Sequence, residues 1–530
     1  MYKISTKEYS FLITCLFVVS FLFANNPNIE NTCNCDYVVT PESTAYNASA
    51  VNPGEKICIE GGHRKELRFD NVNGTKDNPI IISNCDTRVI IESQANYGIL
   101  FTKSKHFHLS GTGANDTYGI YIKRTNLMGI NVTGLSSHFE INNIEISNTG
   151  FAGIIAKTDP SCENKDLRSF VMEEVLLHDN YIHDVEGEGI YIGYSWYPSR
   201  EVTCSGTTTT FYPHSVQNVD IHHNTITHTG WDGLQIGSGV ANIKVHHNQI
   251  DMYGLEKRSA QDNGMQIGAG TTGDWYNNKI TNGQGIGGNG IIDIGRGHST
   301  IYNNIIINTK GNGIYTNDKG HIDSNSYYRA FNNTIVNTGS HGIHFSMAFT
   351  NNSNNLLANN IVVNPRRQPF SFSPSRVNAS NNSQVNDLDQ IKFTDAVNGD
   401  YSLKENSPAI DSGMNLSGFG VTFDYEDKIR DINKSPFDQG AYEYKPLLNI
   451  NAVSSTKKHF KMYPNPASEK IIFDQVSKKI EIIISTITGK KLFQTTLLPL
   501  RKDVDISSLD KGIYIISIKD ENQFFKLIKQ

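Results

Sequence analysis

The chain has 530 residues, of which 38% are hydrophobic and 19% are charged, and its formal net charge is −6. This apolar content and low charge exclude a globally disordered chain. The charge is uneven, because residues 457–530 hold 14 Lys and Arg against 8 Asp and Glu, a net of +6, which leaves −12 for the remainder. Because the part of the chain before residue 457 is this acidic, a nucleic-acid partner is disfavoured.

The N-terminus has the pattern of a signal peptide over residues 1–24. Lys3 and Lys7 precede an apolar run from Phe11 to Phe23, and Ala24 offers a cleavage point before polar residues. The run is too short for a comfortable membrane span. We therefore expect an exported chain with no transmembrane segment after processing.

Six cysteines follow the signal peptide, and an even number in an exported chain favours disulfides. Four of them, at positions 33, 35, 58 and 85, lie near the mature N-terminus. We expect this group to staple a cap over the open edge of the first coil. Cys33 and Cys35 are too close for the usual zinc-ligand spacing, and the sequence predicts no metal site.

An Asn followed two residues later by Ile or Val recurs through the chain, mostly 24 to 30 residues apart. Most copies are followed by Gly, aliphatic, variable, aliphatic, as in GIYIG (189–193), GLQIG (233–237) and GMQIG (264–268). This period predicts stacked coils of a solenoid, because one coil cannot bury its own apolar face. The copies are Asn180/Ile182, Asn224/Ile226, Asn248/Ile250, Asn278/Ile280, Asn304/Ile306, Asn333/Ile335 and Asn360/Val362.

Alternation within the repeat predicts short strands. In GLQIG, Leu234 and Ile236 face inward and Gln235 faces outward. A second strand precedes each repeated Asn, where Val219 and Ile221 face inward, and we expect a third in the variable stretch. Asn at the same turn of every coil predicts a ladder of amide hydrogen bonds that satisfies buried turn groups.

Stacked Asn residues, short Val and Ile strands and Gly-rich turns resemble the right-handed parallel β-helix family that includes pectate lyase and chondroitinase B. The resemblance covers roughly residues 35 to 445, and we assign 25–445 to such an all-β solenoid. It implies a protein that acts on polysaccharides. The chain lacks the Lys and Arg motifs of the chondroitinase B relatives and the Asp clusters of pectate lyases, so hydrolase and lyase both remain open.

The repeat is violated in two consecutive coils. A weaker forerunner of the signature lies at Asn143/Glu145, 37 residues before Asn180, and Asn180 in turn lies 44 residues before Asn224. The excess predicts two loops, at about 157–170 and 194–215, that emerge on the same side of the solenoid. Each contains one cysteine, so we expect a Cys162–Cys204 disulfide to join them.

The coils that carry these loops hold the candidate catalytic residues. Glu188 and Asp232 occupy equivalent turns of neighbouring coils, roughly 5 Å apart, and could be the acid and base of a glycoside hydrolase. In the structural alternative they are turn residues, interchangeable with the Asn of later coils. A lyase would need a base at the sugar C5 proton, for which Tyr191 and His228 are the candidates.

The outward positions of the Gly-containing strands and the nearby aromatic residues are candidates for binding substrate. They are Gln235, Gln266, Asp293, Arg296, Trp231, Trp196 and Tyr194. A different outward column, His178, His222, His246, Tyr276, Tyr302 and Phe331, is interpreted as rings that stack between coils rather than as a metal site.

The segments SPAIDSG (407–413) and FDQGAYEY (437–444), with Asp424 and Arg430 between them, resemble the closing segment of many bacterial β-helix proteins. Their acidic residues could bind calcium, the one cofactor that the sequence suggests. We favour a cap whose Asp side chains accept hydrogen bonds from turn amides. Residues 446–458 then form a linker.

The C-terminal segment begins MYPNPASEKIIFD (462–474) and ends FFKLIKQ (524–530). With the Gly489-Lys490 turn and the stretch from Leu509 to Tyr514, it closely resembles the type A sorting domain of the type IX secretion system of Bacteroidota. The resemblance implies a small β-sandwich at 459–530 that engages the type IX machinery. It also implies a secreted or surface-attached protein.

Two functions from different classes follow. The favoured one is an enzyme, a hydrolase or lyase, that degrades an extended polysaccharide along the outward face of the coils around 180–300. The alternative is a noncatalytic glycan-binding or adhesin-like solenoid. In either case we expect a monomer.

Overall fold

The computed structural model describes residues 33–318, 323, 325–350, 354–430, 436–444, 460–474, 476, 479–486, 490–499, 502–519 and 523–530. The predicted signal peptide, 1–24, and the predicted linker, 446–458, lie outside these residues. Two compact units divide the chain, Met1–Tyr444 and Lys445–Gln530. Within the described ranges, no helix has the length and apolarity needed to cross a membrane.

Each regular coil of the N-terminal unit contributes three strands to three faces of a solenoid. In one coil these are Ser215–His222 on the first face, Thr225–Thr229 on the second face and Leu234–Ile236 on the third face. Each strand pairs in parallel with its counterpart in the next coil. The unit is therefore a parallel β-helix, as the resemblance implies.

The third strand of the coil is not in the variable stretch where we expected it. It begins directly after the repeated Asn and contains the repeated Ile, as in Thr225–Thr229 with Ile226. The Asn-x-Ile signature thus marks the corner between the first and second faces. The variable stretch forms the turns that follow the third face.

The strands of the three faces have the following bounds. The first face comprises Tyr37–Val39, Lys105–Ser110, Ser137–Asn142, Val171–His178, Ser215–His222, Gly239–His246, Gly273–Tyr276, Ser299–Tyr302, Tyr328–Phe331, Leu356–Ala358 and Asn378–Ser380, and two long strands, Lys56–Arg64 and Ile80–Glu92, run on into the second face. The second face continues with Ile120–Arg124, Ile144–Ser147, Tyr181–Val185, Thr225–Thr229, Gln249–Asp251, Lys279–Thr281, Ile305–Thr309, Thr334–Thr338, Ile361–Val363 and Ser383–Val385. The third face comprises Ala45–Asn47, Leu67–Asp70, Tyr97–Thr102, Met128–Thr133, Ile154–Ala156, Ile190–Ile192, Leu234–Ile236, Met265–Ile267, Ile291–Asp293, Ile314–Asn317, Ile343–Ser346 and Phe370–Ser371.

The inward aliphatic residues of all three faces form one continuous core. The Gly at the start of each third-face strand is required by the stacking of coils. A Cβ on Gly233 would lie 2.5 Å from Ile250 Cγ2 and 2.6 Å from the Gly264 carbonyl oxygen. The signature therefore records close contact between successive coils.

The predicted Asn ladder runs along the corner between the first and second faces, from Asn180 to Asn382. At a typical rung, Asn248 Oδ1 accepts from the backbone N–H of Asn224 at 3.1 Å and from its Nδ2 at 3.0 Å. Asn248 Nδ2 in turn donates to the Ile221 carbonyl and to Asn278 Oδ1. Each side chain thus satisfies groups in the coils on both sides.

The outward column on the first face is a ring stack, as interpreted from the sequence. The rings of His178, His222, His246, Tyr276 and Tyr302 are nearly parallel, with successive centroids 4.9, 5.0, 4.7 and 4.8 Å apart. Offset ring contacts of this kind stabilise neighbouring parallel strands.

The segments at the two ends of this unit are both fixed to the solenoid, and the closing segment lies along the outer side of the later coils, where Asn277, Asn303 and Asn332 donate to its carbonyl groups. Disulfides Cys33–Cys85 and Cys35–Cys58 tie the first described residues to the first coils.

In the closing segment, Arg430 is fully buried and donates to Glu443 and Asn303. The two described Asp residues beside it act as turn acceptors, because Asp424 accepts from the N–H groups of residues 426, 428 and 443, and Asp438 from those of 411 and 444. These bonds are the ones that the cap interpretation requires.

The C-terminal unit consists of two antiparallel sheets. One contains Met462–Tyr463, Lys470–Phe473 and Asp503–Asp505, and the other contains Lys491–Leu497, Ile480–Thr486, Gly512–Ile518 and Gln523–Lys529. Residues of both sheets share one core, including Phe473, Ile482 and Ile516.

The ladder predicts a strong asymmetry between two adjacent polar residues. Asn248→Ala removes a buried amide and leaves partners in three coils unsatisfied, which should lower the free energy of unfolding by about 2 to 4 kcal/mol. Gln249→Ala, at the exposed neighbouring position, should change it by less than about 0.5 kcal/mol. Urea unfolding of the two variants and the parent chain measures both values. Equal effects of the two substitutions would show that the ladder does not support the fold.

Candidate functional site

The two overlong turns form one loop assembly beside the third face. They follow the strands Ile154–Ala156 and Ile190–Ile192, and the second contains a hairpin of Arg200–Cys204 with Thr207–Phe211. The expected Cys162–Cys204 disulfide joins them, with Cα atoms 5.7 Å apart. Backbone hydrogen bonds from Leu167 to Tyr212 and from Tyr212 to Lys165 add to this connection.

The start of the second loop covers the outer side of the third face. Ser195 Oγ lies 2.6 Å from the Tyr191 hydroxyl and accepts from Gln235 Nε2 at 2.7 Å. Tyr197 packs onto the next coils, where a Cβ on Gly270 would lie 2.4 Å from its Cγ. Tyr191, Tyr194, Gln235 and Gln266 are consequently buried. We call residues 194–200 the roof.

A lysine that the sequence analysis did not single out lies at the edge of the roof. Lys157 Nζ is 4.8 Å from the Tyr191 ring centroid, 5.6 Å from that of Tyr194 and 2.9 Å from Asp159 Oδ1. Its side chain is only 17% exposed. Burial opposes its charge, but Tyr191 and Asp159 favour the charge, and the net result is a raised pKa for Lys157.

The outward position of Lys157 could have been recognised from the sequence. It lies two residues after Ile155, which is the outward residue of its strand and pairs with Tyr191. It is therefore an outward residue at the point where the first extra loop begins.

The proposed acid pair, Glu188 and Asp232, is buried, with exposures of 1% and 0%. Burial raises the pKa of Glu188 to about 7. Burial raises the pKa of Asp232 well above its usual range, and the nearby charge of Glu188 adds to this effect. Among the described residues, Glu188 Oε2 and Asp232 Oδ2 have no hydrogen-bond partner. Neither carboxyl group lines an open groove.

A second ladder explains the position of Asp232. Asp232 Oδ1 accepts from the backbone N–H of Asn263 at 2.7 Å and from its Nδ2 at 3.1 Å. Asn289 donates in the same way to Asn263, and Asn312 to Asn289. Asp232 thus occupies an Asn position of this ladder, which fits the structural alternative raised from the sequence.

The other three predicted site residues are His228, Asp293 and Arg296, of which Arg296 lies near Tyr197 of the roof. His228 is exposed on the second face, whereas Tyr191 belongs to the third face. Asp293 is buried. It pairs with the inward Ile267, whereas the residue before it, Ile292, pairs with the outward Gln266. Burial raises the pKa of Asp293 to about 7. Arg296 is paired with Asp323 at 2.6 Å. The sequence left Ile292 and Asp293 as alternatives for this outward position; Ile292 takes it, and Asp293, our candidate for substrate binding, faces inward.

The predicted aromatic residues form two stacks with arginine. Trp196 is 53% exposed, and the Arg200 guanidinium lies 4.4 Å from its ring centroid. The Trp231 ring is partly exposed, with Arg258 at 3.8 Å on one side and Phe151 edge-on at 5.3 Å. Each stack offers an aromatic surface beside a cation.

The three-faced coil and its ladders define a right-handed parallel β-helix protein. Residues 461–530 match the model of the secretion system C-terminal sorting domain. The chain is thus a β-helix protein with a type IX sorting domain, which directs it to the cell surface or outside the cell. No curated protein matches the chain.

Several solved β-helix structures resemble the chain. Pectate lyase Pel9A is 15% identical, with 78% of this chain and 97% of that chain covered and a TM-score of 0.41. The PL6 family polysaccharide lyase from Pseudopedobacter saltans is 15% identical, with 71% and 98% covered and a TM-score of 0.34. The mannuronan C-5 epimerase A-module from Azotobacter vinelandii is 11% identical, with 65% and 100% covered and a TM-score of 0.31.

The raised pKa of Glu188 predicts a pH-dependent loss of stability. The folded chain holds a proton that the unfolded chain has released, so stability falls as the pH rises from the ordinary carboxyl value of 4.5 through about 7. Glu188→Gln removes this loss and should be more stable than the parent by roughly 3 kcal/mol at about pH 8, with little difference at about pH 4.

The measurement is urea unfolding of the parent chain and the variant at both pH values. Glu186→Gln, at an exposed position in the same turn, is the matched control and should leave the pH dependence unchanged. A Glu188→Gln variant whose stability parallels that of the parent at both pH values would contradict the prediction.

Proposed function

We propose that this chain is a secreted or surface-attached enzyme that cleaves an extended acidic polysaccharide by β-elimination at the third face. The site comprises Lys157 and Tyr191, with the coils around 154–270 as the binding surface. One observation carries the proposal: the Lys157 ammonium group is held over two tyrosine rings at the edge of the roof.

Elimination needs the parts that this arrangement offers. The proton at C5 of a uronate leaves, a double bond forms between C4 and C5, the C4–O4 bond breaks and the leaving oxygen takes up a proton. A cation beside the carboxylate makes the C5 proton easier to remove. The charged Lys157 would supply that cation, and Tyr191 is the group placed to transfer the proton.

Access to Tyr191 requires movement of the roof. Its hydroxyl is bonded to Ser195, and the side chain is buried. A bound sugar must displace Ser195 and would take over its hydrogen bonds to Tyr191 and Gln235. The exchange of one set of hydrogen bonds for another keeps the cost of opening moderate.

The two arginine–tryptophan stacks suit the proposed substrate. Sugar rings pack on exposed aromatic faces such as Trp196 and Trp231. Arg200 and Arg258, stacked on these rings, can pair with carboxylates through planar donors. An acidic glycan can engage both the rings and the cations, whereas a neutral glycan engages the rings alone.

Hydrolysis has less support. It needs two carboxyl groups that reach the glycosidic oxygen and a water or the anomeric carbon. Glu188 and Asp232 are buried, and Asp232 is engaged by Asn263. Of the two reaction types considered from the sequence, elimination is better supported, because Lys157 lies at the edge of the roof and Tyr191 directly beneath it, whereas both carboxyl groups are buried in turns between coils.

The second candidate function is a noncatalytic glycan-binding solenoid. The observation that favours it is that the roof covers Tyr191. If residues 194–200 stay closed, the accessible surface is limited to the two arginine–tryptophan stacks and the edge of Lys157. Such a surface would bind an acidic glycan without cleaving it.

Replacement of Lys157 tests the enzyme proposal. Lys157→Met keeps much of the side-chain volume but removes the cation, and we expect the formation of ultraviolet-absorbing unsaturated product to fall by about 100-fold or more. The assay uses the mature chain with a panel of acidic and neutral glycans.

Lys165→Met is the matched control, because Lys165 is an exposed lysine of the same loop. It should leave the rate unchanged. Release of reducing ends without unsaturated product would indicate hydrolysis instead. Binding of an acidic glycan without any product would support the noncatalytic alternative.

A further inference from the structure

Three side chains with metal-ligating atoms stack in consecutive coils of the first face, away from the roof. They are His106, His138 and Glu174, and one ligand atom of each lies within 4.8 Å of the other two. The rings of His106 and His138 have centroids 4.3 Å apart. They line a cavity of about 320 Å³ that also contacts His108 and Glu140.

The backbone directs all three side chains to the same point. Each residue has a left-handed φ, of 54°, 56° and 51° respectively. They precede residues that pair directly across the coils, Phe107 with Phe139 and Phe139 with Val175. The cluster is therefore fixed by the register of the strands rather than by loops.

The same column contains Asn in the next two coils. Asn218 and Asn242 have φ values of 55° and 52°, and Asn242 donates to Asn218 at 2.8 Å. Asn adopts this conformation readily, whereas Glu does so rarely. Where the later coils have Asn, these three coils have His, His and Glu. The three side chains supply atoms that can bind a metal, but they hold the left-handed backbone conformation less favourably than Asn does.

The position of the proton on the His138 imidazole suits a residue that binds a metal ion. Ser137 Oγ donates to the Glu173 carbonyl and accepts from the Glu173 N–H at 2.8 Å. Its one hydrogen is thereby used, so the contact of 2.8 Å with His138 Nδ1 is a bond that the imidazole donates. The proton on Nδ1 leaves the lone pair of Nε2 available, as in metal-binding histidines.

We propose that His106, His138 and Glu174 form a zinc site whose open coordination position faces the cavity. Two imidazole nitrogens and one carboxylate oxygen are a ligand set typical of Zn²⁺ sites with an open position. Ca²⁺ and Mg²⁺ prefer sites built from oxygen alone. Zinc–ligand distances are about 2.0 to 2.2 Å, so the proposal includes side-chain rotations that bring these atoms, now within 4.8 Å of one another, closer together.

The surrounding charges agree with a cation at this point. Glu173 Oε2 lies 3.6 Å from His138 Nε2 and adds a second carboxylate. Lys76 pairs with Glu174 at 3.1 Å, but its side chain is 75% exposed. A surface ion pair of this kind contributes little, so zinc can displace the lysine.

The test uses the mature chain without a polyhistidine tag, stripped of metal with a chelator. Calorimetric titration with Zn²⁺ should give one site per chain. The double variant His106→Asn/His138→Asn should bind at least about 100-fold more weakly. It should fold, because Asn already occupies this column at positions 218 and 242.

His228→Asn is the matched control, since His228 is an exposed histidine with a left-handed φ of 54°. It should bind Zn²⁺ like the parent chain, and zinc should raise the melting temperature of both but not of the double variant. Failure of the parent chain to bind Zn²⁺ overturns the proposal. Binding by the double variant with the parent affinity also overturns it, and would assign the metal to another histidine group.

Discussion

The structure depends on the satisfaction of buried amide groups where one coil stacks on the next. A turn that repeats every coil buries its N–H and carbonyl groups between two copies of itself, where water cannot reach them. Asn solves this problem, because one side chain both donates and accepts. Two ladders run along the solenoid, one from Asn180 to Asn382 and one from Asp232 to Asn312. They point in opposite directions along the stack.

The second ladder also accounts for the electrostatics beneath the loops. It ends at Asp232, where a carboxylate replaces the amide and can only accept. One oxygen of Asp232 is therefore left without a partner, and Glu188 in the preceding coil adds another acid. Two carboxyl groups buried side by side cannot both carry charge cheaply. The raised pKa values follow from where the ladder ends, and they need no catalytic role to explain them.

The sequence predicts those features that repeat, because each copy supports the interpretation of the next. The coils, the first ladder and the ring stack on the first face are of this kind. The Cys162–Cys204 pairing was predicted from the two places where the repeat is broken. Asp293 was misplaced because GIIDIG has one residue more than its neighbours, and a shift of one residue reverses the face. His106 and His138 lie in early coils where the Asn-x-Ile signature is absent or reduced to the weak forerunner at Asn143. Their stacking on Glu174 becomes visible only once the strand register is known.

Charge illustrates why function could not be predicted from bulk properties. A net charge of −12 for residues 1–456 argues against a polyanionic ligand. Screening at physiological ionic strength, however, limits interactions between exposed charges to about 8 Å. A sugar on the third face therefore responds to Lys157, Arg200 and Arg258 rather than to acids on the distant side of the solenoid. The extra loops bring Lys157 beside Tyr191 and Tyr194 and bring Arg200 beside Trp196, while Arg258 lies beside Trp231. In the proposed site, local arrangement therefore outweighs net charge.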